Sequence, residues 1–278
     1  MPNHTSVLPA INTNFTHHIS AGLANGEVIT GQNNISHPSE TTALDNALAS
    51  SREDTERHDA IEDANLPGTL PTLRKQYINF SKADEDDLPA RIERLWYINP
   101  YGQEIRLAAN PMVLNALKDA QAIIYSIGSL YTSLIPSLIL KGVGHSISNP
   151  AIRYKILILN STNDRETGPS SNPYSAFDFI AAISKACTES MNTSGDVSKH
   201  KYNQFVTHLI HLTGPGTPEV NRESLKEIGI ETIRVYGRRV EGESFVRYDE
   251  KALVQALEVT LGRRDPRADR IRRNTFES

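Results

Sequence analysis

Apolar runs of strand length alternate with segments of helical length from residue 121 onward, and this alternation constrains the fold more than any other feature of the chain. Strands joined through helices pair in parallel, because a parallel connection has to cross back over the sheet. The runs AIIYSI and KILIL are continuously apolar, as in strands that are buried on both faces. The predicted fold class is therefore α/β, a mostly parallel sheet with flanking helices. The predicted strands are residues 122–127, 154–159, 205–212 and 231–235, and the predicted helices are residues 133–140, 175–187, 223–228 and 249–261.

The segment SAFDFIAAISKAC places Phe179, Ile180, Ile183 and Cys187 at helical spacing, which indicates a helix with one face in the core. On such a face Cys187 is expected to be a packing residue rather than a nucleophile. In contrast, the two histidines at positions 208 and 211 fall in a predicted strand. A spacing of three puts them on opposite faces of a strand, so a shared metal is not predicted.

The first 120 residues are less regular. Short strands are predicted at 7–11 and 26–31, and a hairpin is predicted from RLWYIN (94–99) and GQEIRL (102–107). Residues 39–65 are polar and rich in acids, which predicts a mobile insert. The tail carries six arginines diluted by acids. The predicted organisation is a β-rich part at 1–38, the insert at 39–65, an α/β part at 66–262 and an arginine-rich tail at 263–278.

Composition narrows the functional classes. A formal net charge of −4 gives no reason to expect nucleic acid or a membrane as partner. The single cysteine excludes an intrachain disulfide and fits a reducing compartment. The chain has neither the roughly 20 apolar residues of a membrane span nor the features of a signal peptide at its start. A cytoplasmic protein is expected.

The loop after the first predicted parallel strand, SIGSLYTS, has the parts of an anion site. The first turn of a helix leaves N–H groups unpaired, and these favour phosphate oxygens. Gly128 lets a ligand approach the backbone, while the hydroxyls of Ser129, Thr132 and Ser133 can donate or cap the helix. An ordinary helix cap has the same pattern. The loop matches neither the dinucleotide fingerprint nor the Walker loop.

The loop after the second parallel strand is expected to face the same crevice, beyond the carboxyl ends of the strands. Asn160 can read a base or sugar edge, and Asp164 and Glu166 can accept from hydroxyls or hold a cation through water. An exposed polar loop is the alternative. Asp178 lies in the first turn of the next helix, where an acid also simply complements the helix dipole.

These segments resemble a known family. GSLYTSLIPSLIL, the KILILN strand, an E-T pair and SAFDFI resemble the GPGSLYTS-type loop, the N-L-M-T-Q-x-G-E-T segment and the T-A-S-D-H-V helix start of the gluconeogenesis-factor proteins. Those proteins belong to the CofD-like superfamily, which takes its name from 2-phospho-L-lactate transferase. Two further segments resemble the family's upstream segments in the same order: LANGEVITGQNNIS and LWYINPYGQEIRLAANPMVLNALKDAQAII. The amino-acid sequence is most similar to the fungal branch of the family.

The resemblance implies a Rossmann-like sheet that binds a phosphorylated or nucleotide-linked small molecule. Its transferase members move a phospholactyl group from an activated guanosine diphosphate compound to a deazaflavin alcohol with a divalent metal. Its gluconeogenesis-factor members are linked to UDP-sugar binding and to regulation of carbon and cell-wall metabolism. By motif, the ligand-binding residues would be Gly128, Ser129, Thr132, Ser133, Asn160, Glu166, Thr167 and Asp178.

The family's first glycine-rich G-G-T loop and its D-N-G-G-S-S, G-D-I-R and G-N segments do not occur in this chain, and Ile127 stands where the family often has proline. The chain is therefore predicted to be an N-terminally incomplete version of the fold. Mg²⁺ would belong to the complete family protein, but no metal ligand or catalytic residue can be assigned here.

Three functions follow as hypotheses. The first is a nucleotide-sugar-binding regulator of the gluconeogenesis-factor type. The second is a phospholactyl or phosphoryl transferase, inactive in so short a chain. The third is a half-domain whose exposed sheet edge needs a protein partner, either a second copy of the chain or a missing N-terminal half.

Overall fold

A computed structural model describes residues 5–37, 68–70, 73, 87–191, 199–239 and 245–262. The predicted insert at 39–65 and the predicted tail at 263–278 lie outside the described residues.

An antiparallel sheet is formed by the N-terminal part of the chain. Its strands are β1 (His18–Leu23), β2 (Val28–Thr30), β3 (Ile92–Ile98) and β4 (Glu104–Ile105), in the order β2-β1-β3-β4. The hairpin predicted over 94–107 is confirmed as β3 and β4, and β2 lies within the predicted strand at 26–31.

The strand predicted at 7–11 is wrong. Ile11 forms only an isolated bridge with Ala109, and Val7 is 90% exposed. Pro9 has no N–H to give to a ladder, which explains the failure. The first strand of the chain is instead β1, in which Ile19, Ala21 and Leu23 are buried. The sequence does not suggest this strand, because Ser20 and Gly22 are not typical strand residues.

The parallel sheet is confirmed. Its strands β5 (Ala122–Tyr125), β6 (Tyr154–Ile158), β7 (His208–His211) and β8 (Glu231–Arg234) pair in parallel and in chain order. A small hairpin of β9 (Gly237–Arg239) and β10 (Val246–Tyr248) follows β8. The described helices are α1 (Gln32–Ser36), α2 (Pro111–Lys118), α3 (Ile135–Leu138), α4 (Val143–Ile147), α5 (Ala176–Ser190), α6 (Arg222–Glu227) and α7 (Glu250–Thr260).

The two faces of the parallel sheet are covered by different elements. On one face Leu157 and Leu209 join a core that also contains β1, β3 and the predicted apolar face of α5, with Cys187 buried as expected. On the other face Ile156 and Ile210 pack with the β9–β10 hairpin and α7. His208 and His211 point to opposite faces, because they are three residues apart in a strand.

The helix predicted over 133–140 is divided. Residues Leu130–Leu134 form a π-helical turn, α3 continues to Leu138, and a left-handed Gly142 (φ 94°) then starts α4. Pro136 has no N–H to donate to the preceding turn, which favours the wider winding. A π-turn at this point matters for the site, because it sets which N–H groups face the loop after β6.

Helices α4 and α5 cross at backbone contact. A Cβ atom on Gly144 would lie 1.9 Å from the Cys187 carbonyl oxygen, so only glycine fits there. Ser190 reinforces the crossing, since its hydroxyl accepts from Gly144 N at 2.9 Å and donates to Leu140 O at 2.7 Å.

We expect Gly144→Ala to lower the free energy of unfolding by about 3 kcal/mol, because the added methyl must push two backbones apart. Urea unfolding measures this. Gly128→Ala is the control, since its Cβ would meet nothing closer than Ser133 Cβ at 3.7 Å. Equal losses in the two variants would contradict the close crossing.

Candidate functional site

The loops after β5 and β6 meet at the carboxyl end of the sheet, as predicted. The Asn160 amide makes the first tie, because its Nδ2 donates to Gly128 O at 2.9 Å and its Oδ1 accepts from Gly128 N at 3.3 Å. The sequence suggested that Asn160 reads a base or sugar edge. In the structure this side chain fixes the shape of the loop after β5, and its role toward a ligand stays a prediction.

A buried carboxylate makes the second tie. Glu166 is 2% exposed and accepts from Tyr131 N at 2.8 Å, Thr132 N at 3.0 Å and Thr132 Oγ1 at 2.5 Å. Two of the unpaired N–H groups at the start of the helical segment are therefore satisfied within the protein. A phosphate cannot take these two donors while Glu166 holds them. The helix start predicted as an anion site carries the protein's own anion.

Burial is the main cause that raises the pKa of Glu166, and the nearby charge of Asp164 also raises it. The hydrogen bonds from Thr132 and from the backbone of Tyr131 and Thr132 act in the opposite direction. The carboxylate thus depends on these donors to stay ionised in a low-dielectric position.

The residues around Glu166 form a short capped turn at Arg165–Thr167. The Asp164 carboxylate accepts from Glu166 N at 3.0 Å and Thr167 N at 3.1 Å, and the Thr167 hydroxyl accepts from Asp164 N at 2.9 Å. Thr167 is fully buried. Of the predicted site residues, Thr167 therefore builds the turn.

A cavity of about 250 Å³ lies between these loops and α1. It has a polar lining of hydroxyl, carboxylate, amide, imidazole and guanidinium groups, supplied by Gln32, Ser36, His37, Ser129, Thr132, Ser133, Asp164, Arg165 and Glu166. Within the described part of the chain, the hydroxyls of Ser129 and Ser133 have no hydrogen-bond partner. The structure thus brings Ser129, Thr132, Ser133 and Glu166 together around one space.

Sequence reasoning missed the contribution of α1. Gln32, Ser36 and His37 are about 100 residues from the loop after β5, and no spacing in the sequence links them to it. Arg165 supports this junction, since its Nε donates to Ile35 O at 3.3 Å. Only the docking of α1 against the turn reveals these groups.

Asp178 lies elsewhere. Its carboxylate caps α5 with Ser175 and pairs with Arg91 at 3.0 Å in a groove of about 270 Å³ between β3 and α5. This groove does not include Ser129 or Glu166. The assignment of Asp178 to the ligand stays a prediction, as do those of the other site residues.

The family resemblance implies a divalent metal in the complete family protein. Among the described residues, no group of three or more histidine, cysteine, aspartate and glutamate side chains is placed to hold a metal ion. In the same part of the chain, no helix has the length and apolar character needed to cross a membrane.

We expect Glu166→Ala to lower the free energy of unfolding by about 3 kcal/mol or more, because it leaves buried N–H donors unpaired at about 1–3 kcal/mol each. Glu166→Gln is the matched control, since its amide oxygen can still accept from both N–H groups. Urea unfolding at pH 7 compares the variants. If alanine and glutamine have equal effects, the carboxylate does not hold the loop.

The raised pKa of Glu166 predicts a pH dependence with a definite sign. A carboxyl group whose pKa is above its ordinary 4.5 when folded binds its proton more tightly in the folded state. We therefore expect the wild type to gain stability relative to Glu166→Gln as the pH falls from 8 towards 4.5. Unfolding curves of both proteins at several pH values test this. A constant difference across that range would contradict it.

Comparisons with known proteins identify the family of the chain. The family model described as 2-phospho-L-lactate transferase CofD matches residues 2–265. The "Uncharacterized protein YNL011C" of Saccharomyces cerevisiae is 38% identical over 227 residues, which cover 74% of this chain and 51% of that protein. A Nostoc protein named as a gluconeogenesis factor is 30% identical over 152 residues, covering 54% of this chain and 32% of its own length.

A crystal structure from Bacillus halodurans has a similar fold, with a TM-score of 0.54 at 19% identity, and it covers 90% of this chain and 60% of that chain. A second crystal structure of the Bacillus halodurans protein, described as a member of the UPF0052 family, gives a TM-score of 0.53 at 18% identity. The chain spans about half the length of the yeast relative. The match over nearly the whole chain shows that it belongs to the 2-phospho-L-lactate transferase CofD family.

Proposed function

We propose that this chain binds a nucleotide-linked sugar or a closely related ligand, in the manner of a gluconeogenesis-factor regulator. The observation that carries the proposal is the polar cavity formed by α1 and the loops after β5 and β6. Ligands of open α/β sheets bind beyond the carboxyl ends of the strands, and this cavity lies there. Relatives named as gluconeogenesis factors support the likeness to that group.

The chemistry of the cavity favours the sugar portion of such a ligand. The carboxylate of Asp164 lines the cavity and can accept from ligand hydroxyls. Glu166, whose oxygens accept from Tyr131 and Thr132, adds negative charge that disfavours a phosphate at the same place. The hydroxyls of Ser129 and Ser133, which have no hydrogen-bond partner among the described residues, can both donate and accept, which suits a ring bearing several hydroxyl groups. About 250 Å³ corresponds to roughly eight water molecules at about 30 Å³ each, enough for one sugar ring.

Phosphoryl or phospholactyl transfer is the second candidate, because the matching family model is described as a transferase. Transfer would need a divalent metal, and among the described residues no group of three or more histidine, cysteine, aspartate and glutamate side chains is placed to hold one. The dependence of ligand binding on Mg²⁺ therefore distinguishes the two proposed functions. A regulator of the proposed kind binds its ligand equally well with and without Mg²⁺, and a transferase needs Mg²⁺ to engage it.

We expect UDP-N-acetylglucosamine or UDP-glucose to raise the unfolding temperature of the 278-residue chain, and GDP and GTP to do so less. A ligand at about 100 times its Kd contributes about 2.7 kcal/mol, which is a shift of several degrees or less at this chain length. The titrations are run with and without Mg²⁺. A cooperative transition that none of these compounds moves would overturn the proposal.

We further expect Ser129→Ala and Ser133→Ala each to weaken binding of the active compound by about 0.5–1.5 kcal/mol, the usual net value of one neutral hydrogen bond. Calorimetric titration measures the change. Ser137→Ala is the control, since Ser137 is exposed on α3 and does not line the cavity. Unchanged affinity in both cavity variants would remove this cavity from the ligand site.

A further inference from the structure

A second polar cluster lies at the carboxyl ends of β7 and β8. His211 and Arg234 are paired residues of these parallel strands, so their side chains project from the same face of the sheet. Arg222, the first residue of α6, donates from Nε to Thr232 Oγ1 at 3.0 Å. Thr232 is two residues before Arg234 and thus on the same face. His211 is therefore flanked by two guanidinium groups.

One ring nitrogen of His211 is a hydrogen-bond acceptor that receives no hydrogen bond from the described residues. The ring is 3% exposed, and its Nδ1 lies 3.0 Å from Leu212 O. A carbonyl oxygen only accepts, so Nδ1 carries the hydrogen and Nε2 is the bare nitrogen. Nε2 is buried and has no hydrogen-bond partner within the described part of the chain. Such an atom costs folding free energy unless another molecule supplies a donor.

The electrostatic surroundings of His211 are positive. Burial is the main cause that lowers the pKa of His211, the hydrogen bond to Leu212 raises it, and the charges of Arg222 and Arg234 lower it. Neither arginine forms an ion pair with a described carboxylate. Arg234 Nη2 donates to the hydroxyl of Tyr236 at 3.3 Å, and Tyr236 is 75% exposed. The arginines are on the surface, where an anion can reach them.

We propose that Arg222, Arg234 and His211 form a binding site for a phosphate group. The two guanidinium groups supply charged donors, which phosphate oxygens accept in pairs. Because Nε2 is buried, a phosphate oxygen contacts it only when the neighbouring exposed side chains move aside, and one proton shared between the two atoms then completes the site, whichever of them carries it. The second pKa of a phosphate monoester is about 6, so this proton is available near neutral pH.

The proposed phosphate site lies apart from the N–H groups after β5, which are not free to bind a phosphate. Glu166 occupies the N–H donors after β5, and Asp164 adds a second carboxylate there. Neighbouring strands are about 4.8 Å apart, so β7 lies roughly 10 Å from β5 along the sheet edge. In a nucleotide sugar, whose two phosphates carry no proton near neutral pH, the arginines would hold the diphosphate by charge alone while the sugar occupies the cavity. This link to one ligand rests on the proposed function, whereas the phosphate site itself does not.

The test is calorimetric titration of the 278-residue chain with inorganic pyrophosphate at constant ionic strength. We expect Arg222→Gln and Arg234→Gln each to weaken binding about tenfold or more, since each removes charged hydrogen bonds. Arg153→Gln is the control, because it removes the same charge from an exposed residue just before β6, at the opposite end of the sheet. We expect it to change the affinity less than twofold.

The ¹⁵N resonances of His211 are measured in the wild-type protein, because a variant at so buried a position can fail to fold. We expect pyrophosphate to shift the ¹⁵N resonance of His211 Nε2 toward the hydrogen-bonded form and to leave Nδ1 nearly unchanged. Absence of pyrophosphate binding, equal losses in Arg153→Gln and Arg234→Gln, or an unmoved Nε2 resonance would each overturn the site.

The two proposals fail separately. A chain that binds a UDP-sugar but not pyrophosphate lacks the phosphate site and keeps the proposed function. A chain that binds pyrophosphate with the expected arginine dependence, but binds no nucleotide sugar, keeps the phosphate site and lacks the proposed function.

Discussion

The arrangement of the sheet edge depends on one buried carboxylate. Glu166 holds the first helical turn after β5 through two N–H groups and one hydroxyl. Tyr131, whose N–H is one of those donors, reaches with its own hydroxyl to Ile92 O on β3 at 2.9 Å. Tyr174 bonds the same carbonyl oxygen at 2.9 Å. A single acid thereby links the parallel sheet to the antiparallel one.

A buried acid of this kind is stable only because its partners are complete. Three hydrogen bonds offset the desolvation that raises its pKa, and two of them come from backbone groups that side-chain substitution cannot remove. Glycine and asparagine in the neighbouring tie add rigidity, since the Asn160 amide matches both polar groups of Gly128. The loop after β5 is held from two sides before any ligand arrives.

The parallel sheet could be predicted because its strands are apolar on both faces and its helices have regular spacing. The core position of Cys187 and the opposite faces of His208 and His211 followed from the same periodicities. The predicted convergence of the two loops was also correct, since carboxyl ends of parallel strands share an edge. What could not be predicted was the partner of each group. A π-turn decides whether Glu166 points to a ligand or to Tyr131 N, and no local sequence pattern predicts that turn.

Because the sequence does not show which side chains become partners, it also did not reveal two groups of the site. The contribution of α1 to the cavity and the unpartnered nitrogen of His211 are both consequences of packing between distant segments. Histidine spacing gave no reason to expect a shared metal, but it carried no information about the arginines near His211. Charge along the edge is therefore uneven in a way that the net charge of −4 conceals, with two carboxylates and one guanidinium group in the cavity near β5 and β6, and two guanidinium groups near β7 and β8.

Because β5, β6, β7 and β8 stand side by side in chain order, position along the sequence becomes position along the edge. Three steps of about 4.8 Å place the first and last of these loops roughly 14 Å apart. Each loop then meets a different section of whatever lies across the edge. An insertion or replacement in one loop changes the surface locally and leaves the others in register, so related chains can exchange specificity one section at a time.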